Sequence, residues 1–532
     1  MSRSTQSSTS NEAAALTTVS ATELARRIAG GEVSSREVVE AHIARIEAIN
    51  DRLNAVVQKR FDAARREADQ VDAAVAEGER ALGPLAGVPM TIKECFDVRG
   101  MTANIGIEGL GQQPTPEDGP LVARLKAAGA IVLGKTNIPQ LMSMHETDNP
   151  VYGRTNNPWD LSRSPGGSSG GEAAVIAAGG SPLGLGNDLG GSIRIPAHFC
   201  GIHGIKPTSG RLTNLGALAN FRGLEAMVPQ PGPLARHVDD LTLAVRLLAA
   251  EGLERIDPQV APGFPIEPKI VSLKGLRAAA WTDDGYFTPC PAVRRLMGEA
   301  VEALRQVGVD VQMVDPPDVP EAMRLYFGIV TADGGADMRR LLGHSRRDWR
   351  VRRMLLPLLM PRWMRRAVAT GLAALGHARE ADTLRAAGPM SADAYWQLSY
   401  QKNLYAAAYA RRLNGEGFDF VLCPTHPLPA LTHGSNYELI VAGSYAMLFN
   451  LLGMPAGTVS LSRVRDDETS DRPASRDPSE RRAQEVEAHS VGLPISVQVA
   501  ARWWQESVVL AVMRSLEIAF QDRGDYPRQP PI

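Results

Sequence analysis

The chain opens with helical patterns of apolar and polar residues. Ser20 and Ser34 each stand three positions before a glutamate, the capping-box arrangement that begins helices. In the second segment, apolar residues recur at helical spacing, so one helix face is expected to pack inward. A third, alanine-rich helix is predicted over 59–80. Together these helices form a predicted helical segment ahead of the main core.

Beyond this segment, short apolar runs alternate with helical patterns. Strands are predicted at 90–92, 131–133, 277–281, 309–314, 418–422, 458–461 and 495–499, and helices at 121–130, 172–178, 238–250, 291–307 and 504–520. Such alternation is typical of an α/β fold. We therefore expect a single large domain with a twisted mixed, largely parallel sheet covered by helices on both faces.

Two segments interrupt the alternation. Residues 335–415 are almost entirely helical in pattern and predict a helical cap inserted into the core. Residues 463–489 are charged and contain prolines, which favours a flexible surface loop, with a polar helix over 480–488 as the alternative. The predicted organisation is a disordered tail at 1–18, N-terminal helices at 19–82, the core with the candidate catalytic residues at 83–334, the cap at 335–415, and the return of the core at 416–532.

Composition narrows the class of protein. The 532 residues are 44% hydrophobic and 22% charged, as in soluble globular proteins with a sizeable core. The formal net charge of −2 gives no reason to expect a nucleic-acid partner. Four cysteines without CxxC spacing suit a reducing compartment. No apolar run resembles a signal peptide or a spanning helix, so we expect a cytoplasmic protein.

The strongest candidate for an active site is the glycine-rich stretch 164–204. Within it, GGSSGG at 166–171 and GGS at 190–192 each place a serine among glycines, whose backbone can adopt conformations that other residues avoid. No lysine follows either cluster, which excludes a P-loop. The Rossmann spacing GxGxxG fails, and Ser192 lacks the GxSxG pattern of a nucleophile elbow. A serine nucleophile whose base is not histidine is the hypothesis that remains.

This region resembles the amidase signature family. GGSSGG at 166–171 is followed by GNDLGGSIRIP at 186–196, with Lys93 located 75 residues before Ser168 and Ser192 located 24 residues after it. The resemblance implies amide hydrolysis with Ser192 as nucleophile, Ser168 as a relay serine on a cis peptide bond after Gly167, and Lys93 as base. It implies no metal and no cofactor.

The same resemblance implies the supporting parts of the site. The backbone N–H groups of Leu189, Gly190, Gly191 and Ser192 would form the oxyanion hole. Supporting structural roles are expected for Ser169, Asp188 and Arg194, the last two by pairing with each other or with local backbone. A lysine acts as a base only when uncharged, so burial would have to lower the pKa of Lys93 by roughly 3 units.

Other titratable groups near the site receive structural interpretations. His198 and His203 lack the carboxylate or HExxH context of metal ligands, so we expect both to be hydrogen-bonded core histidines. Cys95 follows the base closely and is expected to pack as a small apolar side chain.

Further stretches resemble the fatty acid amide hydrolase branch, among them residues 93–96, 181–186 and 447–456. This resemblance implies fatty acid amides, N-acylethanolamines or similar small-molecule amides with apolar acyl groups as substrates. Asn187 stands where the animal enzymes carry threonine, a difference expected to have little effect. The alternatives are a general small-amide or aryl amidase, an A-type subunit of a glutamine-dependent amidotransferase, and a catalytically inactive binding module.

The predicted cap contains a strongly basic segment with apolar residues between the charges. Residues 346–366 hold eight arginines and one acidic residue, Asp348, with leucines, methionines and tryptophans between them. Such a segment suits the surface of an anionic membrane, which would make the protein peripheral there. The alternative is a cap packed on the domain or against a second copy in a homodimer, with its arginines solvated.

Overall fold

A computed structural model describes residues 15–79, 82–263 and 265–532. Its centre is one sheet of 11 strands in the order β1-β3-β2-β4-β6-β5-β10-β11-β9-β7-β8. The strands are β1 (Val56–Lys59), β2 (Pro89–Lys93), β3 (Ile131–Thr136), β4 (Leu183–Asp188), β5 (His203–Lys206), β6 (Gln230–Ala235), β7 (Arg277–Ala280), β8 (Asp310–Met313), β9 (Phe420–Pro424), β10 (Ala456–Arg463) and β11 (Pro494–Ala501).

Strand direction differs between the flanks and the middle of the sheet. Parallel pairing joins β3, β2 and β4 on one side and β9, β7 and β8 on the other. The middle of the sheet, from β4 to β9, is antiparallel, as is the edge pair of β1 and β3. The mixed sheet is therefore confirmed, but a largely parallel one is wrong. The sequence pattern missed β1, β4, β5 and β6, and β5 and β6 belong to the run of antiparallel pairs in the middle of the sheet.

Helices account for most of the remaining chain. They are α1 (Ala21–Ala29), α2 (Ser35–Leu53), α3 (Phe61–Ala76), α4 (Pro120–Ala127), α5 (Gly170–Ala177), α6 (Arg194–Cys200), α7 (Val238–Leu248), α8 (Pro291–Gln306), α9 (Val319–Val330), α10 (Ala336–Leu342), α11 (Trp349–Leu355), α12 (Arg362–Ala374), α13 (Ala378–Ala386), α14 (Ala392–Gly415), α15 (Asn436–Leu439), α16 (Ser444–Leu452), α17 (Pro478–Glu487) and α18 (Glu506–Phe520). No described helix is both long enough and apolar enough to cross a bilayer.

Both faces of the sheet are covered. Successive side chains of a strand point to opposite faces. On β3, Val132 joins the core beneath α7, α8 and α18, while Ile131 and Leu133 join a second core beneath α2, α3 and α5. The predicted helical cover on both faces is confirmed by this division.

Two expectations about irregular segments are wrong in part. Residues 15–18 of the predicted disordered tail are ordered, because Thr17 is buried and its C=O accepts a 2.8 Å hydrogen bond from Arg236 Nη2; residues 1–14 lie outside the described ones. Within 463–489 the chain forms α17 instead of remaining a loop, in line with the alternative. Its Ala483 and Val486 are fully buried, and this pair anchors the helix.

Candidate active site

The candidate site lies where two paired parallel strands end. β2 ends at Lys93 and β4 ends at Asp188. The carboxyl ends of parallel strands meet at one edge of a sheet, which is where α/β proteins place their ligands. The helix α5 begins at Gly170, directly after Ser168, so the first glycine-serine cluster lies against the same edge.

Lys93 is fully buried and surrounded by neutral oxygen atoms. Its Nζ lies 2.7 Å from Ser168 Oγ and 3.0 Å from Ser169 Oγ. It also lies 2.6 Å from the side-chain oxygen of Asn187. These contacts hold the amine against the hydroxyl of Ser168, as a proton exchange between the two would require.

Burial lowers the pKa of Lys93 to about 8, against smaller opposing effects of Cys95, Asp188 and Glu172. The desolvated ammonium is disfavoured, so a substantial neutral fraction exists just above neutral pH. A lowered pKa is what a lysine needs in order to act as a base.

The backbone around Ser168 is tightly enclosed. The peptide bond between Gly167 and Ser168 is cis. A Cβ at Gly167 would overlap the carbonyl oxygen of Met144, so only glycine fits there. The turn therefore presents the Ser168 hydroxyl to Lys93 from a segment packed backbone against backbone.

Ser192 stands on the loop between β4 and α6 and is 8% exposed. Gly191, just before it, has φ +103°, a conformation that favours glycine. The N–H of Ser169 donates to the C=O of Ser192 at 3.1 Å. This bond joins the two serine-bearing segments directly, so the structure brings Lys93, Ser168 and Ser192 into one site.

An ion pair fastens the Ser192 loop. Arg194 Nη2 lies 2.9 Å from Asp188 Oδ1, and both side chains are fully buried. Burial alone would raise the pKa of Asp188, but Arg194 and Asn450 hold it below its ordinary value. The Asp188 carboxylate also accepts the N–H of Gly191 at 2.7 Å and of Ile193 at 3.1 Å. The expected pairing is thus present, and it sets the backbone on either side of Ser192.

Two further side chains hold the carbonyl groups of this loop. His145 Nε2 lies 2.8 Å from the C=O of Gly190, and Tyr326 Oη donates to the C=O of Leu189 at 3.3 Å. Burial lowers the pKa of His145 to about 4, so its ring is neutral and Nε2 carries the proton that Gly190 accepts. These two contacts fix the carbonyl groups of Leu189 and Gly190, just before Ser192.

Glu172 lies buried behind the base. Its two carboxyl oxygens each accept a 2.7 Å hydrogen bond, from Thr91 and from Thr136. Burial raises its pKa to about 8. The group therefore adds little negative charge next to Lys93 at neutral pH.

Sequence reasoning missed several members of the site. Asn187, expected to have little effect, contacts Lys93 directly. Asn450 and Gln498 both accept hydrogen bonds from Arg194, at 2.6 and 2.7 Å. Asn450 lies in the stretch 447–456 that resembles the fatty acid amide hydrolase branch, but that resemblance gave it no role in the site. Asn450 and Gln498 both lie more than 250 positions beyond Arg194. For Asn187, the difference from threonine was the available signal.

The structural interpretations of the nearby histidines and cysteine are confirmed. His198 is buried between Ser496 Oγ at 2.6 Å and the C=O of Leu428 at 3.0 Å. His203 is buried and accepts the N–H of Ser460. Burial raises the pKa of Cys95 to about 12, which keeps the thiol protonated and inert.

Comparisons with known proteins identify the family of this chain. Residues 37–510 match the model of the family described as Amidase. Fatty-acid amide hydrolase 1 of Sus scrofa is 34% identical over 504 residues, covering 93% of this chain and 84% of that protein. The A-type subunit of the glutamyl-tRNA(Gln) amidotransferase of Acidothermus cellulolyticus is 39% identical over 331 residues, covering 60% of this chain and 63% of that protein.

A solved structure described as fatty acid amide hydrolase aligns with a TM-score of 0.83 at 26% identity, covering 95% of this chain and 86% of that one. The family match spans the core strands, both glycine-serine clusters and the helical insert. The chain therefore belongs to the amidase signature family and is an amide hydrolase.

Proposed function

We propose that this amidase hydrolyses amides with apolar acyl groups, including fatty acid amides and N-acylethanolamines, with Ser192, Ser168 and Lys93 as its catalytic triad. The observation that carries the proposal is the buried Lys93 Nζ, 2.7 Å from Ser168 Oγ, on a segment bonded to the Ser192 loop. A serine hydroxyl needs a base within reach to act as a nucleophile.

In this mechanism Ser192 Oγ attacks the amide carbonyl carbon, and its proton moves through Ser168 to neutral Lys93. The proton then returns through Ser168 to the amine as the C–N bond breaks. Water attacks the acyl-enzyme by the same relay and releases the acid. In both steps the proton taken from the nucleophile is held on Lys93 until it returns through Ser168 to the leaving group.

The oxyanion hole would use backbone N–H groups of the Ser192 loop. Because the N–H of Gly191 already donates to Asp188, we assign the oxyanion to the amides of Leu189, Gly190 and Ser192. Gly191 then acts by shaping the loop, which narrows the four donors expected from the sequence to three.

Support for an apolar acyl group comes from the relatives named as fatty acid amide hydrolases, which align over most of the chain. The amidotransferase relative aligns over a smaller share. A panel of matched amides tests the choice: acetamide, an aryl acetamide, glutamine, oleamide and an N-acylethanolamine. We expect kcat/KM to be highest for the two long-chain substrates. A preference for glutamine or acetamide would contradict the proposed substrate class.

The relay predicts an unequal response to loss of the base. Lys93→Ala should lower kcat/KM for an amide by about 100-fold or more relative to a matched ester, because the amine leaving group needs the relayed proton. The two rates are compared on substrates with the same acyl chain. Equal losses on both would refute the relay.

The nucleophile is checked independently by a fluorophosphonate label. Ser192→Ala should abolish labelling, whereas Ser162→Ala, on an exposed turn outside the site, should keep it. Labelling that persists without Ser192 would place the nucleophile elsewhere.

We further propose that the cap contacts an anionic membrane. Arg352, Arg353, Arg362 and Arg366 are exposed beside the exposed apolar side chains of Leu359 and Trp363. By contrast, Arg350 is buried and paired with Glu146 at 2.9 Å, which ties the segment to the core. Basic groups around exposed apolar side chains are the composition of interfacial segments.

A further inference from the structure

A cavity of about 960 Å³ lies between α9, α12, α13 and α14. None of Lys93, Ser168 and Ser192 lines it. Its apolar wall consists of Met323, Phe327, Met390 and Leu398. This size is in the range of pockets that hold drug-sized or lipid-sized ligands.

The charged side chains around this cavity differ in whether they have a partner within the protein. Glu321 pairs with Arg324 at 2.6 Å, and Asp382 pairs with Arg385 at 2.7 Å. The third carboxylate, of Asp318, caps α9 by accepting the N–H of Glu321. The acidic side chains of the lining therefore already have partners.

Arg365 is different. It is 4% exposed and lines the cavity, yet across 15–79, 82–263 and 265–532 no carboxylate lies within ion-pair distance of its guanidinium. Its described side-chain hydrogen bond is from Nη1 to the C=O of Met360, at 2.8 Å. Burial and the neighbouring charge of Arg362 lower its pKa. A buried arginine without a counter-charge is costly unless a ligand supplies one.

Backbone packs against one face of the Arg365 guanidinium. Gly388, with φ +110°, lies against the guanidinium so closely that a Cβ there would overlap it. One face of the guanidinium is thus covered by backbone. Arg362, also in the lining, is exposed at its outer side.

From this arrangement we propose that the cavity is a second binding site, which takes an amphipathic monoanion: a carboxylate on Arg365 with its apolar chain along Met323, Phe327 and Leu398. A guanidinium binds a carboxylate through directed, charge-assisted hydrogen bonds. The contacts of Arg365 and the cavity wall are independent of the active site; the proposed hydrolysis would release ligands of this class.

Calorimetric titration of the full-length protein with dodecanoate tests the site, with dodecanol as the uncharged probe. Arg365→Gln should weaken dodecanoate binding by about tenfold, the loss typical of a charge-assisted hydrogen bond. The control Arg366→Gln removes the same charge from the exposed side of the same helix and should change it less than about twofold. Dodecanol should bind equally to both variants.

Equal dodecanoate affinity in Arg365→Gln and the unaltered protein would overturn the proposal, as would an equal loss for dodecanol. Should Arg365→Gln fail to fold, Phe327→Ala replaces it, since this half-buried side chain lines the proposed path of the apolar chain. Unchanged dodecanoate affinity in that variant would also overturn the site. Fluorophosphonate labelling of Ser192 is followed in parallel. Labelling should persist in Arg365→Gln, so a failure of the cavity site and a failure of the proposed nucleophile give different results.

Discussion

Lys93 is surrounded by hydroxyl and amide oxygens, and this choice of neighbours sets its chemistry. Among the described residues no carboxylate lies within ion-pair distance of its Nζ, whereas Ser168, Ser169 and Asn187 all contact it. A carboxylate partner would hold the lysine charged. Neutral acceptors orient the amine and leave burial as the dominant influence on its pKa, which is why the group is suited to accept a proton.

The pH dependence of hydrolysis should follow this pKa. Because neutral Lys93 is the active form, kcat/KM for an amide should rise with pH through about 8 and level off above it. Below that value the rate should fall by about tenfold per pH unit. A flat profile between pH 6 and 9 would show that Lys93 is not the base.

Asn187 provides a sharper test of the same group. Its oxygen favours the ammonium form of Lys93, so Asn187→Ala should move the rising limb of the profile to lower pH and reduce the plateau rate. Asn187→Thr retains an acceptor oxygen and should keep the limb near its original position. An unmoved limb in Asn187→Ala would contradict the role of this contact.

The three residues proposed as catalytic could be singled out from the sequence because they belong to a spaced, glycine-rich pattern. The residues that position them could not. His145 contacts the backbone of Gly190, and Asn450 contacts the buried pair of Asp188 and Arg194, from other segments of the chain. Only the folded chain brings those segments together, and their local sequence carries no sign of the contact.

At the scale of elements, β4 shows why the sequence pattern did not predict part of the sheet. Its sequence, LGLGND, has too few apolar side chains to read as a strand, although every residue is buried. The glycines have a spatial reason: a Cβ at Gly184 would overlap Glu172 Oε2, and one at Gly186 would come within 2.8 Å of Ser169 Oγ. The two glycines leave space for Glu172 and Ser169, and they also remove the apolar pattern by which the strand could have been predicted. The predicted strands without such a demand, like β10 and β11, were found.

This crowding predicts a strong effect of one methyl group. Gly184→Ala should destabilise the protein by about 2 kcal/mol or more and lower activity, because Glu172 and the base above it must shift. Gly298→Ala is the control: this glycine lies in α8 with open space around its Cα, and the change should stabilise the helix by up to about 1 kcal/mol. Chemical denaturation measures both. Equal stability of the two variants would refute the crowding argument.

On the scale of the whole molecule, the chain is one α/β unit with a helical insert on the side of the cavity. The domain boundaries, the cytoplasmic location and a homodimer stay predictions. The fold class followed from alternating patterns, whereas the direction of the central strands did not, since β5 has only four residues and β6 contains two prolines and a glycine.

The membrane contact belongs to this scale and has a matched pair of tryptophans. Trp363, in the basic segment 346–366 of the cap, is 70% exposed, and Trp396, on α14 outside that segment, is 72% exposed. Trp363→Ala should weaken binding to vesicles containing phosphatidylserine by about tenfold, because the aromatic surface that would be buried in the membrane interface is lost. Trp396→Ala should leave it unchanged in the same sedimentation assay. Equal losses, or none, would contradict a contact through the cap.

The ion pair of Arg194 with Asp188 has a consequence for how the protein is made. All three proposed catalytic residues lie in the first 192 positions, but Arg194 also donates to Asn450 and Gln498. A growing chain carries both serines and the lysine long before those last acceptors leave the ribosome. Until then the guanidinium beside the nucleophile lacks part of its buried setting. We therefore expect hydrolytic capacity only after the segments that carry Asn450 and Gln498 have been synthesised and packed against Arg194.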